Sequence, residues 1–146
     1  MSHLNFHASF YARLPNLTPA SSVTLRGVEV SPLVTDAGVA PTFVDFFDVT
    51  FETTLERLQA LPGVDAEPDG FFVYGGPTEH GRWRLSGHLY DFGDRMHRME
   101  LNGDCPPSAV DDLWRCLGWP DKEIACELVL EGVVLAEDDF RRWAGK

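Results

Sequence analysis

Residues 83–101 read WRLSGHLYDFGDRMHRMEL, and the way this stretch folds back on itself decides the fold. Asp91-Phe92-Gly93 suits a three-residue loop, with Gly93 taking the left-handed conformation at no Cβ cost. Under that register Tyr90 faces Asp94. Trp83 opposes Leu101, Leu85 opposes Met99, Gly87 opposes His97 and Leu89 opposes Arg95, giving one mostly apolar face. Arg84 opposes Glu100, Ser86 opposes Arg98 and His88 opposes Met96 on a mostly polar face, with one opposite-charge cross-strand pair. A two-residue turn at Phe92-Gly93 would instead set His88 against His97 and Arg84 against Leu101, mixing leucine and arginine on both faces. The first register separates apolar from polar and is preferred. It sends the two histidines to opposite faces, whereas the rival makes a paired-histidine site.

Working outward, Leu4, Phe6, Ala8, Phe10, Ala12 and Leu14 alternate with polar residues, the period of a strand, and Pro15 ends it. Residues 22–30 read as a second strand. Residues 42–51 are ambiguous, since β-branched and aromatic content favours a strand while Asp45 and Asp48 sit at helical spacing. Phe51, Leu55, Leu58 and Leu61 predict a helix with one buried stripe, stopped by Pro62-Gly63. Phe71–Tyr74 is a short strand. Ser108 is expected to cap a second helix buried through Val110, Leu113, Trp114 and Leu117. Ile124–Leu130 is strand-like, and Val133–Leu135 continues the sheet after Glu131-Gly132, a turn or a bulge. Residues 137–143 form a short terminal helix, with acids first and arginines last. The expected architecture is a single α+β domain over 1–146: a mainly antiparallel sheet of about six strands with two main helices on one face.

A chain of 146 residues with 44% hydrophobic content can bury a substantial core. No apolar run reaches membrane-spanning length, and the N-terminus alternates rather than forming a secretory signal. Cys105, Cys116 and Cys126 form neither a C-x-x-C motif nor an even framework, so reduced thiols and a cytoplasmic location are expected. The formal net charge is −11, with ten acids and a single base, Arg57, between Glu29 and Glu79. The only lysines are Lys122 and Lys146. This balance disfavours nucleic acid and suits a basic protein partner, such as the target of an inhibitor.

The candidate sites are few. Asp65, Glu67 and Asp69, followed by Gly70, match the opening of a calcium loop, but Gly76 stands where a bidentate glutamate is needed. A solvated acidic turn is the plainer reading. His3 and His7 share a strand face but lie roughly 13 Å apart. His7 would need His88 or His97 from a neighbouring strand to form a site. Ser86 and His88 are successive residues on one face, so a hydrolase pairing them is conceivable without a nucleophile elbow or a third member. Cys105, just before the second helix, is expected to have a lowered pKa. No cofactor motif is present. The sequence points to a non-catalytic, protein-binding or regulatory domain. A hydrolase using His88 with Ser86 or Cys105 is the alternative, and a homodimer through an exposed sheet edge is a further expectation.

Overall fold

The computed structural model describes residues 3–146. Its frame is an antiparallel sheet of seven strands. In chain order these are β1 (Leu4–Ala12), two short ribbons β2 (Thr18–Pro19) with β5 (Leu33–Val34) and β3 (Val23–Leu25) with β4 (Val28–Val30), then helix α1 (Phe51–Gln59). A meander follows, β6 (Val64–Ala66), β7 (Phe71–Thr78), β8 (Gly81–Phe92) and β9 (Arg95–Cys105). Helix α2 (Pro107–Cys116), β10 (Ile124–Leu128), β11 (Val134–Leu135) and helix α3 (Glu137–Ala144) complete the chain. The spatial order is β11-β10-β1-β9-β8-β7-β6. Strand β1 therefore lies between β9 and β10, and α2 carries the chain across it from one flank to the other.

The alternation read in β1 explains its central place. Leu4, Phe6, Ala8, Phe10 and Ala12 are all buried. They pack beneath Val110, Leu113 and Trp114 of α2 and Phe140 and Trp143 of α3, so the helices lie on one face of the sheet. Phe6 and Phe10 meet Phe140 edge to face, with ring centroids 5.0 and 5.2 Å apart. Leu58 brings α1 to the same core. Thr50 caps α1 by accepting a hydrogen bond from the Thr53 amide at 3.0 Å.

The sheet has one strand more than expected, and a third helix also contributes to the core. Residues 22–30 are a hairpin rather than one strand, because Arg26 and Gly27 both take positive φ (52° and 75°) and reverse the chain. Residues 42–49 form no regular element, and the helix begins only at Phe51. Ser108 does not cap α2. The cap position is Pro106 and Pro107 enters the first turn, where its missing N–H costs nothing.

The register of the 83–101 hairpin also differs from both readings. The turn is Gly93-Asp94, both with positive φ (54° and 75°), which is the geometry of a two-residue type I′ connection. Leu89 pairs with Met99, Gly87 with Leu101 and Leu85 with Gly103. A register irregularity sits between Tyr90 and Asp91, where Tyr90 opposes Arg98 but Asp91 opposes Met96. His97 is thus the extra residue of a β-bulge. Leu85, Leu89, Met99 and Leu101 still share the core side. The bulge, however, buries Met96 and turns His97 outward, so His88 and His97 lie on the same face. Arg84 opposes Asp104 rather than Glu100.

Candidate functional site

The sheet face away from the helices carries the polar side chains, and its registers form a grid. One row runs Tyr11, Arg98, Tyr90 across β1, β9 and β8. The next runs Ser9, Glu100, His88, Phe71, and a third runs His7, Asn102, Ser86, Val73. Half of this face is covered. Leu14, Leu17, Leu33 and Phe43 pack over Ala125 and Val134, and Phe43 stacks on Tyr11 with centroids 4.1 Å apart. His97 belongs to this covered half, with its Nε2 3.0 Å from the Phe43 carbonyl.

The uncovered half holds a shallow hollow of about 280 Å³ lined by His7, Phe71, Ser86, His88, Tyr90, Glu100 and Asn102. Glu100 is its fixed point. Its Oε2 lies 2.7 Å from His7 Nε2, and its Oε1 accepts from the Tyr90 hydroxyl at 3.3 Å. The Arg98 guanidinium lies 3.8 Å from the Tyr90 ring centroid, and the His88 ring lies 4.7 Å from it. Alongside, the Tyr11 hydroxyl donates to Glu127 at 3.3 Å, and burial together with that carboxylate pushes its pKa up to about 12.

Ser86 and His88 do reach a common hollow, and His7 joins them from β1 with β9 between. Among the described residues no hydrogen bond links Ser86 to His88, and the carboxylate orients His7 rather than His88. His3 lies apart, 3.5 Å from Asp104. Glu100 was read only as a charge opposite Arg84. The outward alternation of Arg98, Glu100 and Asn102 on β9 was the signal that marked it.

Cys105 sits opposite Leu4 and is fully buried. Burial pushes its thiol up to about 12, and Asp104 adds to the effect, so the shift runs against the lowering expected at a helix start. Cys116 and Cys126 are buried and shifted upward as well. Asp65 belongs to β6 opposite Val73, and Asp69 Oδ1 accepts from the Phe71 amide at 3.0 Å, closing a turn. Among the described residues no group of three or more histidine, cysteine, aspartate or glutamate side chains is placed to hold a metal ion.

A second feature lies at the β8–β9 turn. The Phe51 amide donates to the Asp94 carbonyl at 2.7 Å, Thr50 bridges to Arg95, and the Leu89 amide donates to the Gly70 carbonyl at 3.0 Å. These bonds draw three distant segments to one end of the molecule. Asp45, Asp48, Glu52, Glu67, Asp69, Asp91 and Asp94 are all exposed there. The nearest base, Arg95, is 3.8 Å from Asp48 and donates to the Phe47 carbonyl. Phe92, at the same turn, is 74% exposed, with its ring centroid 6.5 Å from that of Phe46.

Among the described residues no helix is long and apolar enough to cross a membrane. Comparison with protein-family models, curated proteins and solved structures finds no match.

Proposed function

We propose that this chain is a non-catalytic binding domain that recognises a basic protein through the end of the molecule built around Phe92. One observation carries the reading: exposed acids from three separate segments lie at the same end of the sheet as Phe92, whose side chain is 74% exposed. An exposed aromatic ring inside a charged rim is the composition of an interface anchor, with the ring filling a pocket on the partner and the charges steering approach. An inhibitor of a basic enzyme has this form.

The hydrolase alternative is less well supported. Ser86 and His88 share a hollow but not a hydrogen bond, and the buried, upshifted Cys105 has no exposure from which to attack a substrate. Dimerisation through a sheet edge has little backbone to use, since edge strands β11 and β6 have two and three residues.

The test maps backbone amide shifts during titration with a peptide of alternating arginine and leucine. The expected shifts cluster at residues 44–52, 67–71 and 91–95, weaken with added salt and are lost in Phe92→Ala. Shifts spread evenly over all surface carboxylates, unchanged in that variant, would reject the reading.

A further inference from the structure

The acid-rich end leaves the hollow around Glu100 without a role. We propose that this hollow binds one ring of a neutral saccharide, with Glu100, Asn102 and Ser86 taking hydroxyls and Phe71 with His88 forming the wall for the sugar's C–H face.

The charge of the hollow comes first. Its one carboxylate, Glu100, is held against His7 at 2.7 Å and receives Tyr90 as well. An anionic ligand would meet that carboxylate, and no guanidinium lines the hollow: Arg98 lies over the Tyr90 ring instead. A cationic ligand would find a single carboxylate among the lining groups, one that already holds His7 and Tyr90. A neutral ligand meets neither obstacle.

The remaining polar groups narrow the chemistry further. Among the described residues the Ser86 hydroxyl, the Asn102 amide and the His88 imidazole hold no side-chain hydrogen bond within the chain, while all three line the hollow. Each of them can both donate and accept. A sugar hydroxyl has the same dual character, so neighbouring hydroxyls on a ring can satisfy such a set, and each carboxylate oxygen of Glu100 retains capacity for another donor. Two bonds from the protein already fix the orientation of that carboxylate, so binding need not order it.

The shape agrees. Phe71 pairs with His88 across β7 and β8 and stays 39% exposed, beside the small side chain of Ser86. The combination of an apolar ring wall and in-plane polar groups matches a pyranose, which is apolar on one face and hydroxylated around its rim. A volume of about 280 Å³ falls just below the roughly 300 Å³ at which drug-sized sites begin, so a single ring fits rather than a larger ligand.

The experiment titrates the whole protein with methyl glycosides of glucose, galactose, mannose and N-acetylglucosamine, following the amides of His7, Ser86, His88, Glu100 and Asn102. Saturable shifts confined to this group are expected with at least one glycoside. Glu100→Gln should weaken that binding about tenfold, the scale of one lost hydrogen bond to a charged group. Phe71→Ala should weaken it, with the unfolding midpoint showing that the variant still folds. The matching trisaccharide separates the two sources: tighter binding with the same shifts identifies the end of a glycan chain, and equal binding identifies a free sugar. No saturable shift up to roughly 0.1 M glycoside, where even a Kd of about 10 mM would be visible, overturns the proposal. So does a response at these residues to acetate or Zn²⁺ without one to any sugar.

Discussion

Gly87 shows how tightly the core side of the sheet is filled. A Cβ at this position would fall inside the ring of Phe72, which occupies the space opposite it. Gly87→Ala should therefore cost roughly 1–3 kcal/mol, the range of an overpacked core, and adding Phe72→Leu should recover part of the loss. Urea unfolding of the two variants measures both. The cysteines give a second test at this scale. All three are buried, with Cys105 pushed from an ordinary 9.0 to about 12 and Cys116 to about 11. A folded pKa above the unfolded one means that the folded state keeps protons the unfolded chain releases. The stability linked to these thiols is therefore complete below about pH 8.5 and is lost as pH climbs through 9 towards 12. Tyr11 and Tyr74, both raised from 10.0 to about 12, act in the same direction slightly higher. The melting temperature should hold up to pH 8 and fall steadily above pH 9. A thiol reagent at pH 8 should label no cysteine until the protein is unfolded. Rapid labelling of Cys105 in the native state would contradict its burial.

Among the elements, the β8–β9 hairpin is where sequence reasoning was most and least informative. The alternation of Leu85, Leu89, Met99 and Leu101 marked the core face correctly, because side-chain period depends only on extended backbone. The turn was placed wrongly because Gly93 was paired with the residues before it. Asp94, which also tolerates a positive φ, completes the reversal. The bulge at His97 left no mark in the sequence. Its effect, burying Met96 and turning His97 to the opposite face, follows from contacts with residues 47–50, whose backbone bonds to Met96 and Arg95. At this scale Asp94→Gly should be tolerated, whereas Asp94→Val should cost roughly 1–2 kcal/mol because a β-branched residue resists φ of 75°. Thermal unfolding of the pair distinguishes a required left-handed turn from an incidental one. Equal melting temperatures would reject the turn assignment.

For the whole molecule, what the sequence concealed was convergence. His7, Ser86 and His88 could be assigned to outward positions, but that β9 stands between β1 and β8 depends on strand order, which period-2 patterns do not encode. Glu100 escaped for the same reason: its partners His7 and Tyr90 lie on two different neighbouring strands. The excess of acids over residues 29–79 was plain, while the placing of part of it at the same end as Asp91 and Asp94 required the backbone bonds from Phe51 and Leu89. One side of the sheet thus supports the helices and the core, and the two proposed recognition surfaces occupy its other side and its end.

The most direct test of that division is the association rate with a basic probe protein, cytochrome c, measured against ionic strength. With Asp45, Asp48 and Asp91 changed to asparagine, the rate at low salt should drop and its salt dependence flatten, while the melting temperature stays unchanged. The same changes at Glu79, Asp104 and Glu131, which lie away from the β8–β9 turn, should leave the rate close to wild type. If neutralising the second set slows association as much as the first, recognition is not directed to the Phe92 end and the account fails.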